Sequence, residues 1–333
     1  MIPNDAALLQ QTTNHVLMVR PVRFAYNPQT AANNAFQKLS PQDEAVHERA
    51  LAEFDAFVRL LQSRQIDVTV VEDSPRPHTP DSIFPNNVFS LHHDGTLVLY
   101  PMFAVNRQQE RKQELRQSIE QNFVIERVID LTHYEKPPEP TASVAETHGK
   151  YLEGTGSMIL DRIHHKAYAC RSPRTHAEVF QDFCERLHYQ PVLFDAVDRQ
   201  GRPIYHTNVM MCMAAQYMIV CLDAIPKPED RQLLLDAAHD SGRELISIDF
   251  DQMEHFAGNM LQLHNKEGEP FLILSATALA SLSPQQRSQL EHYNPLLAPV
   301  LPTIEENGGG SARCMLAECF APKKKPFETI KYF

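Results

Sequence analysis

The sequence predicts an α/β fold: a five-bladed, pseudo-symmetric α/β propeller of ββαβ units around a central site. Three observations predict it. A strand–turn–strand–helix–strand pattern recurs at roughly fifty-residue spacing. The two ends of the chain each carry part of one further unit. Polar residues gather just ahead of the first strand of each unit, whereas the strands themselves are apolar.

The first complete unit opens with 87-NVFSLHHDGTLVLY-100, two apolar runs joined at Asp94-Gly95, a dipeptide that favours a tight hairpin turn. A helical stretch, 107–122, and the apolar VIERVIDL follow. The second unit is 157-SMILDRIHHKAYACR-171, the helical 175–189, then PVLFDAV. The third is 209-VMMCMAAQYMIVCLD-223, the helical 228–242, then ELISIDF. The fourth is 260-MLQLHNKEGEPFLILS-275, the helical 284–297, then PVLPTI. The fifth starts at 314-CMLAECF-320 and is completed by the N-terminal VLMVRP (16–21), a helix over 42–64 and IDVTVVED (66–73). The whole chain, 1–333, is therefore expected to be one catalytic domain, its ring closed by the N- and C-terminal segments. A generic α+β domain with fortuitous alternation is the plain alternative.

Bulk properties narrow the function. With 333 residues the chain can bury a large core, and its formal net charge of −11 disfavours a nucleic-acid partner. The basic run at 323–325 reads as a solvated turn. No apolar window reaches the length of about 18 residues that a membrane-spanning helix needs, and 1-MIPNDAALLQQTTNHV-16 lacks the features of a signal peptide. The six cysteines show no CxxC spacing; Cys170, Cys184, Cys212 and Cys221 sit in apolar or helical patterns, as expected for reduced, buried thiols of a cytoplasmic protein. The histidine pairs at 92–93 and 164–165 fall at hairpin turns, where exposure explains them better than metal does. No nucleotide-binding glycine motif is present, and neither a metal nor an organic cofactor is implied.

The residues ahead of the first strands are 81-DSIFPNN-87, 153-EGTG-156, 206-HTN-208, 255-HFAGN-259 and 308-GGGSARC-314. Each has a bland reading. Glu153 is a turn carboxylate, His206 a cap, Asn86 and Asn87 turn formers, and Cys314 a buried thiol. At equivalent positions of one ring they instead make a set of thiol, imidazole, carboxylate and amides around a polar cavity. A thiolate is a strong nucleophile once its neighbours lower its pKa. His206 can protonate a leaving amine and then activate water. Glu153 can accept N–H bonds from a planar guanidino or ureido group, and glycines give a substrate close access to Cys314. Arg313, next in sequence, should point away from the cavity.

These residues resemble the guanidino-group-modifying enzymes, the pentein superfamily that includes arginine deiminase and dimethylarginase. The run ending in RCM (313–315) resembles the deiminase nucleophile motif. EGTG (153–156) resembles its EGGD segment, HTN (206–208) its HxD segment and DSIFPNN (81–87) its NxxFxRD segment. SPRT (172–175) is similar to an SxRT segment, so the resemblance implies that Arg174 binds the substrate α-carboxylate, and that Asp81 meets its α-ammonium. The likeness runs over essentially the whole chain. It implies the five-bladed pentein fold with a Cys314–His206–Glu153 centre.

Two departures refine the expectation. Asn87 and Asn208 stand where deiminases place aspartates against a guanidinium. An amide pair offers both donors and acceptors to a neutral ureido group, whereas carboxylates offer no donor to its carbonyl. The site thus looks built for citrulline, and the sequence most resembles the citrulline hydrolases (citrulline ureidases), with succinylarginine dihydrolase more distant. The expected reaction is hydrolysis of L-citrulline to ornithine, CO2 and ammonia through an S-carbamoyl-cysteine. Asn86, Asn87 and Asn208 are expected on the substrate. The alternatives are a deiminase or dihydrolase acting on arginine or an N-acylarginine, an amidinotransferase, and a non-catalytic binding ring. The expected partner is a small amino-acid substrate, and self-association into a homo-oligomer is compatible with the sequence.

Overall fold

The strand pairs legible in the sequence assemble into sheets in the computed structural model, which describes residues 5–31, 34, 36–38, 44–136 and 149–324. The strands are β1 (His15–Arg20), β2 (Asp67–Glu72), β3 (Phe89–Leu91), β4 (Thr96–Leu99), β5 (Arg127–Asp130), β6 (Met158–Asp161), β7 (Lys166–Cys170) and β8 (Gln190–Phe194). They continue as β9 (Met211–Met213), β10 (Tyr217–Val220), β11 (Glu244–Ser247), β12 (Leu261–His264), β13 (Pro270–Ile273), β14 (Leu296–Leu297) and β15 (Ala317–Glu318).

They form five three-stranded sheets, each with the same arrangement: an outer strand pairs antiparallel with the middle strand, through a hairpin in four of the five, and the other outer strand runs parallel to it. Helices supply the crossovers that a parallel return requires. One sheet joins the chain's two terminal regions. β15 pairs antiparallel with β1 through Val16–Glu318 and Leu17–Ala317, and β2 runs parallel to β1 from His15–Asp67 to Arg20–Glu72. Neighbouring sheets touch. Leu91 bridges to Cys319, and the His264 amide donates to the Thr13 carbonyl at 3.2 Å. The sheets stay separate, so the propeller expected from the repeats is seen as five small sheets rather than one closed sheet.

The apolar periodicity sets the packing. Helix Ala177–Leu187 buries Val179, Phe180, Phe183 and Cys184, one stripe at helical spacing, against Val98, Tyr100 and Met158. Helix Glu44–Ser63 sends Phe54 and Phe57 onto Val16 and Met18 of β1. Burying each such phenylalanine contributes about 1.5–3 kcal/mol. β9 and β10 are buried along their full length, which explains their unbroken apolar runs.

Three local expectations are corrected. PVLPTI (299–304) is not the last strand of its unit: that strand is Leu296–Leu297, and Pro302 instead opens the helix Pro302–Gly308, where a missing N–H costs nothing. The stretch 107–122 is two helices, Val105–Gln108 and Gln113–Asn122. His92 is buried, not exposed: Ser90 Oγ lies 2.8 Å from its Nε2, and burial pulls its pKa down to about 3. His93, His164 and His165 are exposed. All six cysteines are free and buried, and no described helix is long and apolar enough to cross a membrane. Residues 137–148 of the proline-rich stretch 132–150 and Lys325 of the basic run lie outside the described residues.

Candidate active site

Short turns precede the first strands and converge. Pro85–Asn87, Gly154–Ser157, Thr207–Val209 and Ala312–Met315 each form a single helical turn leading into β3, β6, β9 and β15. Their close approach needs glycine. A Cβ on Gly156 would stand 2.2 Å from Asn87 Nδ2 and 2.8 Å from His206 Nδ1, and one on Gly310 would stand 2.9 Å from the Phe84 ring. The turns and the glycine run line a small, partly open pocket. Cys314, His206, Asn87, Asp81, Arg174 and Tyr205 are among its lining residues, with the backbone of Gly308–Gly310.

Cys314 is 6% exposed, and its amide donates to Ser311 O at 3.0 Å. Its sulfur accepts from two side-chain amides, Asn259 Nδ2 at 3.2 Å and Asn208 Nδ2 at 3.6 Å. Arg313 turns away, to Leu316 O and Glu318, although it lies in the helical turn Ala312–Met315 and not on a strand.

His206 Nε2 lies 2.8 Å from Glu153 Oε2. Burial pulls the imidazole down to about 4, against the pull of the Glu153 charge, so the ring is neutral. Burial also opposes ionisation of Glu153, but Arg174, His206 and Arg107 outweigh it and hold the carboxyl below the usual range. The pair is therefore a neutral imidazole donating Nε2–H to a carboxylate, which leaves Nδ1 as the proton acceptor. Glu153 Oε1 accepts the Phe103 amide at 2.9 Å. Each carboxylate oxygen thus has a hydrogen-bond partner in the protein, the His206 ring and the Phe103 amide.

Asn208 and Asn87 differ in detail. Asn87 Nδ2 donates to Glu153 O at 3.3 Å, and its Oδ1 accepts from Arg107 Nη1 at 2.8 Å. Asn208 Oδ1 is buried with no partner among the described residues. Asn86 stands behind the cavity lining, with Nδ2 3.4 Å from Thr155 Oγ1. Arg174 donates to Thr30 O at 2.8 Å, approaches Glu153 at 3.5 Å and lies 4.8 Å over the Tyr205 ring. Asp81 Oδ2 accepts from Asn27 and Thr30, while Oδ1 is buried with no partner among the described residues; burial pushes this carboxyl up, against Arg107. Among the described residues no group of three His, Cys, Asp or Glu is placed to hold a metal.

Sequence reasoning passed over Arg107 and Asn259. Arg107 is 2% exposed and makes a two-pronged pair with Glu110 at 2.9 and 3.0 Å, besides reaching Asn87 and Phe84 O. Its signal, an Arg–x–x–Glu spacing inside a charged stretch, reads equally as an exposed helix face. Asn259 had a clearer signal, since it precedes β12 as Asn87 precedes β3.

Known proteins define the class. The profile of the eukaryotic N,N-dimethylarginine dimethylhydrolases matches residues 20–321, and the chain belongs to that family. Solved structures add the pentein fold. The apo structure of ArgZ, an arginine dihydrolase of the cyanobacterial ornithine–ammonia cycle, superposes with a TM-score of 0.69 at 17% identity, over 92% of this chain and 41% of that one. The chain thus spans about two-fifths of full-length ArgZ, and it covers 99% of the isolated N-terminal domain of ArgZ (TM-score 0.67, 17% identity, 92% of this chain). A dimethylarginine dimethylhydrolase from Pseudomonas aeruginosa, as a cysteine-to-serine mutant complexed with citrulline, has a TM-score of 0.61 at 15% identity over 92% of this chain and 99% of that one. Direct comparison with curated proteins gave no match.

Proposed function

We propose that the five units form one catalytic domain that hydrolyses the ureido group of L-citrulline, with Cys314 as nucleophile. The carrying observation is the placement of Arg107 against Asn87 Oδ1 at 2.8 Å. Arg107, itself paired with Glu110, holds the Asn87 oxygen, so on this reading Asn87 offers a guanidinium an amide already bound to a cation in place of a carboxylate. The sulfur itself is contacted by neutral amides. Such a site favours a neutral ureido group over a cation by the interactions between full charges that it lacks.

In this reading the thiol proton passes to His206 Nδ1 and Cys314 Sγ attacks the ureido carbon. The bond from that carbon to Nδ of the substrate breaks, and His206 returns the proton to the departing ornithine amine. The S-carbamoyl-cysteine left behind takes a water deprotonated by His206. The C–S bond breaks, releasing the thiol and carbamic acid, which falls to CO2 and ammonia. Glu153 keeps His206 in the required tautomer, as the carboxylate of a hydrolytic triad does. Arg174 reads the α-carboxylate, and Asp81 Oδ1 receives the α-ammonium.

The family match supports a second reading, hydrolysis of arginine or a methylated arginine. Ornithine, ammonia and citrulline are therefore measured with L-citrulline, L-arginine and N,N-dimethylarginine at equal concentration. Ornithine with ammonia from citrulline alone is expected. Citrulline formed from either guanidino substrate transfers the assignment to the second reading. Replacing Cys314 by alanine should abolish turnover and leave thermal unfolding in place; residual activity would remove the thiol from the mechanism.

A further inference from the structure

We infer that Asn259 is a positioning residue for the Cys314 thiolate, supplying through a neutral amide the hydrogen bond that other thiol enzymes take from a cation. The inference rests on the reading of Cys314 as nucleophile.

Geometry carries it. Asn259 is 2% exposed, and its Nδ2 lies 3.2 Å from Cys314 Sγ, the shortest of the sulfur's contacts with side-chain amides. The same Nδ2 donates to Asn208 O at 3.1 Å. That second bond fixes the amide's orientation: exchanging its oxygen and nitrogen would set two carbonyl oxygens against each other. Both amide protons are thus committed, one to backbone and one to sulfur. The backbone is fixed as well, because the Asn259 amide donates to Phe256 O at 2.9 Å.

An N–H that points at sulfur favours the thiolate over the thiol, since the thiolate accepts more strongly. The charged and titratable groups lining the same cavity are His206, Tyr205, Arg107, Arg174 and Asp81, with Glu153 behind His206. Arg107 and Arg174 are held by Glu110 and by Glu153 with Thr30 O, respectively. Asn259 Oδ1, 3.6 Å from Sγ, serves the protonated thiol in turn. The amide therefore accommodates both states of the nucleophile without moving, and it brings no charge that would repel an α-ammonium.

The test is the pH dependence of Cys314 alkylation by iodoacetamide, with Cys314→Ala as the blank for the other thiols. Asn259→Ala removes the donor, and Asn259→Asp replaces it at equal size with a group that cannot donate when ionised. Asn259→Ala should slow Cys314 alkylation near neutrality by about tenfold, the loss expected for one hydrogen bond to an ionised group, and Asn259→Asp by more. In both, kcat should fall near neutrality and recover at higher pH with KM nearly constant. Alkylation profiles of folded variants that superpose on the parent would overturn the inference. If Asn259→Ala does not fold, the isosteric Asp variant decides alone. Alkylated parent that still turns over substrate would instead overturn the role of Cys314, so the two failures are distinct.

Discussion

Glu153 Oε2 and His206 Nε2 lie 2.8 Å apart with both residues almost fully buried. The contact selects the imidazole tautomer and supplies the charge that stabilises the ring once it takes a proton. Glu153→Gln keeps the shape and removes the charge. It should lower kcat by about 10²–10⁴-fold, the range for loss of positioned acid–base function, with a far smaller change in KM. Steady-state kinetics on the preferred substrate checks this; an unchanged kcat would detach Glu153 from the chemistry.

Substrate charge should respond differently at the two asparagines. Asn208→Asp places a carboxylate beside the sulfur, on a side chain whose Oδ1 has no described partner, and should raise the arginine-to-citrulline ratio of kcat/KM by about tenfold or more. Asn87→Asp would be neutralised by Arg107 and should change the ratio little. Equal responses would contradict the role given to Arg107.

Arg174→Lys tests recognition of the α-carboxylate. A lysine cannot reproduce the planar fork that reaches Thr30 O while facing the cavity. The expected result is a rise in KM of about 10–100-fold with kcat changed less, the signature of lost uniform binding. A fall in kcat alone would move Arg174 into the chemical step.

Stability should decline on mild acidification. Burial pulls His15 and His264 down to about 4, below the ordinary 6.5 of the unfolded chain. Between those values the unfolded chain binds protons that the folded chain refuses, so stability falls as pH falls from 6.5 to 4. The slope is at most about 1.4 kcal/mol per pH unit per group. Glu110, pushed up to about 7 by burial, acts in the opposite sense, with its contribution lost as pH rises from 4.5 to 7. His264→Gln should flatten the acid side of a stability-against-pH curve from denaturant titrations; an unaltered slope would refute the assignment.

The four hairpins were legible because each alternates apolar strands with a polar turn, a pattern that depends on local sequence alone. The positions of Cys314, His206 and Glu153 followed from their placement ahead of the first strands of their units. Arg107 was not legible: its burial depends on Glu110 and Asn87 meeting it in space, and a charged stretch carries no mark of that. His92 looked like a turn residue because what buries it is not local to the turn: its Nε2 meets Ser90 Oγ on β3, which in turn meets the Tyr100 hydroxyl just past β4. Asn27 and Thr30, which hold Asp81, come from the single helical turn Pro28–Ala31 and the residue before it, too short for periodicity to announce. The strand misplaced at PVLPTI failed because two prolines, Pro299 and Pro302, interrupt a run judged only by its hydrophobicity.

The sheet that joins β15 to β1 also sets a timetable. Cys314 lies three residues before β15, on the portion of chain that leaves the ribosome long after β1, and the pairing of β15 with β1 helps to anchor its turn. A nascent chain therefore carries His206 and Glu153 well before it carries a thiol to join them. On the proposed reading, activity waits for the pairing of β15 with β1, and a protease cut between Cys314 and Ala317 should abolish it by unpicking the same stitch.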